Sequence, residues 1–157
     1  MSERILIPLD GSKLGEAALH YVEGMFSRLA PKEKVEVTLL HVVTTLRHDV
    51  DIRTAGLAGT ITVPYTESEL EQMKSEAMEY LNEVGEGLIN KGATVIFRVA
   101  VGQSPAEEII KAEEEVNADL VAMSTHGRSG ISRWAFGSVT DKVLRGGKVP
   151  VLMVRAG

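Results

Sequence analysis

Residues 119–143 read DLVAMSTHGRSGISRWAFGSVTDKV. Within them Leu120 to Met123 is an apolar run of the length of a buried strand and too short for an independent helix. Small and polar residues from Ser124 to Ser129 break the run, and after Gly137-Ser138 the pattern turns helical. A strand that ends in a small-residue loop and resumes as a helix is the unit of parallel α/β sheets. The same unit suits an anion, because the first backbone N–H groups of a helix have no internal partners and the helix dipole places partial positive charge beside them. Phosphate binding is the first expectation.

Working outward, the rest of the chain repeats this unit. Arg4–Leu9 reads as the first strand, with Ile5, Leu6 and Ile7 continuous as expected when both faces are buried. Asp10-Gly11-Ser12 turns into a helix with Ser12 as N-cap and Ala17, Ala18, Tyr21, Val22, Met25, Phe26 and Leu29 on its apolar face, ending at Pro31. Val35–Val43 is a second apolar strand. Residues 44–65 show no sustained period and read as a long loop or insertion. A capping box, Thr66 with Glu69, opens a helix with Leu70, Met73, Ala77, Leu81, Val84 and Leu88 at helical spacing, stopped by Gly92. Thr94–Val101 is a third strand. Ser104, Pro105 and Glu107 then carry the N-cap, first-turn proline and capping-box signals of a further helix. The helix after Gly137 ends near Gly146-Gly147, and Val149–Val154 supplies the last strand.

Strands therefore alternate with helices, which gives a three-layer α/β fold with five parallel strands, right-handed crossovers and helices on both faces. The 157 residues, 44% hydrophobic and 25% charged, fit one globular domain over 1–157. A net charge of -5 argues against a nucleic-acid partner. Cysteine is absent, which removes disulfides and cysteine-based metal or nucleophilic chemistry. Neither a signal-peptide pattern nor a membrane-spanning apolar run is seen, so no membrane is expected and the cytoplasm is the expected compartment. In an open parallel sheet ligands sit at the carboxyl ends of the strands, where Pro8–Ser12, His41–Thr44, Val101–Ser104 and Ser124–Gly130 converge.

The common phosphate signatures are missing. Gly146-Gly147-Lys148 is followed by Val149 rather than Ser or Thr, and no G-x-G-x-x-G occurs. What remains is Ser124, two residues, Gly127, nine residues, then Gly137-Ser138. With ILIPLDGS at the first strand, LLHV at the second, VGQSPAEEII at the third and PVLMV at the last, this pattern resembles the universal stress protein family over nearly the whole chain. The ATP-binding branch of that family carries G-2x-G-9x-G-[ST]. Here its second and third glycines and the closing serine are present, and Ser124 stands in place of the first glycine.

The resemblance implies an adenine nucleotide alpha hydrolase-like sheet of order 3-2-1-4-5 and ATP as ligand. By it, Asp10 would accept from the ribose hydroxyls, Pro8 and Leu9 would shape the base pocket, and the Val42 backbone would meet adenine. Met123, Ser124, Gly127, Arg128, Gly130, Gly137, Ser138, Val139 and Thr140 would surround the ribose and phosphates. Mg²⁺ or Mn²⁺ would be bound through the phosphates rather than in a protein cage. The resemblance further implies a homodimer through the last strand, Val149–Val154, and a regulatory switch in the stress response acting on an unidentified downstream protein.

Each residue also has a plainer reading. Asp10 before Gly11 could serve the turn alone, Ser138 with Asp141 could be a capping pair, and Arg128 and Arg133 could be solvated charges. His41 and His126 read as structural, and Trp134 as a packing or dimer residue. No catalytic residue is assigned. A G-x-S-x-G hydrolase is excluded by the spacing of Gly127-Arg128-Ser129-Gly130, and a phosphoacceptor regulator by the lack of an acidic residue at the exit of the third strand. Slow ATP hydrolysis, or an interaction protein in which Ser124 has removed binding, are the alternatives to an ATP-dependent switch.

Overall fold

The structure, a computed structural model, describes residues 2–28, 34–43, 47–54, 56–125 and 137–156. Strand β1 (Ser2–Leu9) is followed by a short 3₁₀ turn (Leu14–Glu16) and helix α1 (Ala17–Phe26). Then come β2 (Lys34–Val43), β3 (Arg47–Thr54), β4 (Leu57–Pro64), α2 (Glu67–Asn90), β5 (Thr94–Val101) and α3 (Pro105–Glu115). The chain closes with β6 (Leu120–Ser124), α4 (Ser138–Gly146) and β7 (Val151–Val154).

Five strands form one sheet in the order β5-β2-β1-β6-β7, all neighbours parallel. Numbered by their succession within this sheet they run 3-2-1-4-5, as expected. Central strands carry continuous apolar sequence because both faces are covered. Ile5, Ile7 and Leu9 of β1 face Ala18, Leu19 and Val22 of α1 and Leu81 and Leu88 of α2. Leu6, Leu40 and Val121 face the other way, against Ala106, Ile109 and Ala112 of α3 and Val143 of α4. Alternation of side chains along the pleat thus divides the core into two layers, one on each face of the sheet.

Local signals fix the helix ends. Thr66 Oγ1 accepts from the Glu69 N–H at 3.1 Å and the Glu69 carboxylate reaches back to the Thr66 N–H, so the expected box forms. Gly92 at φ +92° lets the chain leave α2 in the left-handed region. At α3, Ser104 Oγ accepts from the Glu107 N–H at 3.3 Å and Pro105 takes the first position.

Four expectations need correction. The stretch read as a long loop or insertion is not all loop: it contains an antiparallel hairpin, β3 with β4, which makes its own two-stranded sheet. Its turn is closed by Gly56 at φ +78°, a conformation suited to glycine. On α1 the apolar face is rotated: Leu19 is fully buried while Tyr21 is 46% exposed. The helix also starts later than Ser12, because the chain first makes the 3₁₀ turn. Finally, the last strand begins at Val151; Val149 and Pro150 lie ahead of it, with the Pro150 carbonyl accepting from the Val121 N–H.

Candidate functional site

From β1 the chain crosses to β2 on one side, while β6 lies on the other. The carboxyl ends of β1 and β6 therefore flank the point where strand order reverses, the usual ligand position in such sheets. Pro8 is half-buried and Leu9 buried at the end of β1, and Asp10 follows them out. Asp10 Oδ1 accepts from the Ser12 N–H at 2.9 Å and from Ser12 Oγ at 2.6 Å. Ser12 Oγ in turn accepts from the Gly15 N–H at 3.0 Å. A Cβ on Gly15 would lie 2.3 Å from Asp10 Oδ1, so glycine is what permits this closure. Asp10 is thus a turn residue, and the turn holds its carboxylate group at the switch point.

Ser124 ends β6. Its hydroxyl donates to the Gly15 carbonyl oxygen at 2.9 Å and accepts from the Ala18 N–H at 3.1 Å. Among the described non-glycine residues only Asn117 has positive φ, so serine at 124 carries no conformational penalty. Met123 is buried beneath it and joins the core on the α3 and α4 face. On β2, Val42 is half-buried, and the neighbouring His41 Nδ1 donates to the Leu9 carbonyl at 2.9 Å. His41 therefore steadies the end of β1, in keeping with a structural role.

Helix α4 is the element that follows β6 in the chain. Gly137 is its N-cap and Ser138 its first residue; among the described residues no side chain caps this end. The first turn closes with the Asp141 N–H donating to the Gly137 carbonyl at 3.0 Å. By helix geometry the N–H groups of Ser138, Val139 and Thr140 have no acceptor within the helix. Asp141 bonds to Arg145 one turn on, at 3.0 Å, an i,i+4 ion pair in place of the capping pair with Ser138 that the plainer reading offered. Thr140 is buried, at 5% exposed. Val139 packs against the same core, and Ser138 is exposed. Gly127, Arg128 and Gly130 lie outside the described residues, as do His126, Arg133 and Trp134.

The sequence reading passed over three titratable groups. Glu16 is 3% exposed at the entry to α1, where the Tyr80 hydroxyl of α2 donates to its Oε2 at 3.2 Å. Burial pushes the Tyr80 phenol well above its ordinary value of 10.0, and the negative charges of Glu16 and Asp10 add to the effect. Glu113 on α3 is equally buried, and its carboxyl is raised by desolvation against the opposing pull of the Lys148 N–H. Neither glutamate could be told from a surface helix residue by spacing alone. Among the described residues no group of three or more His, Asp or Glu is placed to hold a metal ion.

A doubly wound parallel sheet with a phosphate-compatible helix start at its switch point defines a class of α/β ligand-binding domains. Within that class the chain belongs to the universal stress protein family, whose model matches residues 1–155. It is 32% identical to the universal stress protein MJ0577 of Methanocaldococcus jannaschii, over 99% of this chain and 96% of that protein. The solved structure of MJ0577 superposes with a TM-score of 0.74 at 26% identity, covering 100% of this chain and 98% of that one. Two further structures share the fold. A universal stress protein in complex with cAMP has a TM-score of 0.63 at 19% identity, covering 99% and 98% of the two chains. One from Archaeoglobus fulgidus in complex with dAMP has a TM-score of 0.60 at 17% identity, covering 98% of both.

Proposed function

We propose that this chain binds an adenine nucleotide, ATP in particular, at the carboxyl ends of β1 and β6 and acts as a nucleotide-dependent regulatory switch in the stress response. The observation that carries the reading is the start of α4. Its N-cap is Gly137, and among the described residues no side chain caps it, which leaves N–H groups and a helix dipole suited to phosphate. Support also comes from the cAMP and dAMP held by proteins of the same fold. Asp10 would take the ribose hydroxyls, Pro8, Leu9 and Val42 the base, and Met123 and the α4 start the ribose and phosphates. Gly127, Arg128 and Gly130 complete the proposed set.

An acidic chain binding a polyanion benefits from a counter-cation. Mg²⁺ or Mn²⁺ carried on the phosphate oxygens would neutralise that charge. A homodimer through β7 completes the reading. That strand is an edge of the sheet and its four residues, Val151 to Val154, are all partly exposed, so pairing with a second copy would satisfy its free edge. A mass matching one chain by light scattering at micromolar concentration would contradict the dimer.

Mass spectrometry of the protein purified without added nucleotide tests the switch. Co-purified ATP supports it, and ADP would favour a weak ATPase. A ligand-free protein that also fails to take up added ATP would refute nucleotide binding and leave an interaction protein of the same fold.

A further inference from the structure

We propose that Ser124 is a positioning residue: its hydroxyl clamps the end of β6 to the entry of α1 and so fixes the Asp10 turn, and it does not donate to a phosphate. The ligand part of this proposal rests on the nucleotide reading above; the clamp itself does not. A serine hydroxyl has a single proton. Here that proton is directed to the Gly15 carbonyl, while the oxygen accepts from the Ala18 N–H. A phosphate oxygen can only accept, so it would have to compete with Gly15 for the one donor.

What the clamp holds is specific. Ala18 is the second residue of α1, where an N–H has no acceptor within the helix, and Ser124 supplies one from a distant strand. The Gly15 carbonyl belongs to the 3₁₀ turn, and the N–H of the same residue donates to Ser12 Oγ, which donates to Asp10 Oδ1. An unbroken series of hydrogen bonds therefore runs from the end of β6, through both backbone groups of Gly15, to the Asp10 carboxylate. Glu16, between the two clamped residues, is held from the other side by the Tyr80 hydroxyl. A glycine at 124, the residue the ATP-branch pattern would place there, can make neither of the Ser124 side-chain bonds. Negative φ at this position means that nothing in the backbone asks for glycine. The departure from the pattern thus exchanges a small residue for a tether between the two halves of the site.

Hydrogen exchange on the full chain, with Ser124→Ala, Ser124→Gly and Ser124→Thr beside the wild type, tests the tether. The Ala18 amide should be protected in wild type, exchange on the order of 10-fold faster or more in the alanine and glycine variants, and recover protection in the threonine variant. Unchanged Ala18 protection in both hydroxyl-free variants would overturn the clamp. Displacement of a fluorescent ATP analogue by ATP and by adenosine then separates positioning from phosphate contact. Ser124→Ala should weaken ATP and adenosine by the same factor, with threonine restoring both. A loss confined to ATP would identify Ser124 as a phosphate donor and overturn the proposal. If the wild type binds neither ligand, the nucleotide reading falls, and the exchange result by itself decides the clamp.

Discussion

Replacing Tyr80 by Phe removes one hydroxyl from the contact between α2 and the entry of α1, and its effect can be worked through. The hydroxyl donates to Glu16 Oε2 at 3.2 Å, and Glu16 is 3% exposed. Lys13 and His20 stand 3.7 and 3.8 Å from Glu16 Oε1, but their side chains are 93% and 65% exposed. Solvent-screened partners of this kind compensate weakly. A hydrogen bond to a charged group is worth about 1.5–3 kcal/mol net, so Tyr80→Phe should destabilise by about 2 kcal/mol. For a chain of this size that corresponds to a fall in melting temperature of about 4–8 °C. The pH dependence gives a second check. Tyr80 is an acid whose folded pKa is raised above its ordinary 10.0. Its contribution is therefore fully present below pH 10 and is lost as pH rises toward the folded value, because only the unfolded chain can release the proton. Urea unfolding of both proteins at pH 8 and pH 11 is the assay, since Tyr21, Tyr65 and the lysines are common to both. The wild-type advantage should be about 2 kcal/mol at pH 8 and smaller by up to about 1.4 kcal/mol at pH 11. Equal stabilities at pH 8, or a gap that does not narrow at pH 11, would refute the buried pair.

Other consequences are equally direct. A Cβ at Gly147 would lie 2.6 and 2.7 Å from the Glu113 carboxylate oxygens and 2.9 Å from the Val143 carbonyl. Gly147→Ala should therefore cost about 1–3 kcal/mol by overpacking, read as a lower urea midpoint with unchanged slope. Glu113 has a raised folded pKa, so its protonated form is favoured in the native state and wild-type stability is lost as pH rises. Against Glu113→Gln, which cannot titrate, the wild type should lose relative stability between pH 4 and pH 8; a constant difference would contradict the assignment. Leu81 on α2 is fully buried in the core layer that covers β1 and β2. Leu81→Ala should cost about 2–5 kcal/mol by thermal or urea unfolding.

Much of the fold was legible because its strands are buried on both faces. Runs such as Ile5-Leu6-Ile7 and Leu39-Leu40 leave a parallel α/β sheet as the economical arrangement, and Thr66, Glu69 and Gly92 mark the ends of α2 through bonds local in sequence. The hairpin had a signal that went unread. In residues 47–54 Val50 and Ile52 alternate with Asp49, Asp51 and Arg53, and in residues 57–64 Ile61 and Val63 alternate with Thr60 and Thr62. Charges and Gly59 hid this period of two. At the site, the glycine N-cap of α4 follows from Gly137-Ser138. The uses of Ser124 and Glu16 do not follow from spacing, because the groups they bond, Gly15 and Ala18 for one and Tyr80 for the other, lie 109, 106 and 64 residues away. Spacing reports which face a residue takes; it does not report which distant hydroxyl or carbonyl meets it there.

The central claim, an adenine nucleotide held by the Asp10 turn and the open start of α4, is tested most directly by calorimetric titration of ATP with Mg²⁺ into wild type and Ser138→Glu. Ser138 is exposed at the first position of α4, so the substitution puts a carboxylate where phosphate would sit and leaves the core untouched. Saturable binding at one site per chain in the wild type, abolished in Ser138→Glu with its melting temperature retained, is the predicted result. Absence of binding in the wild type, or equal affinity in the two proteins, would contradict it.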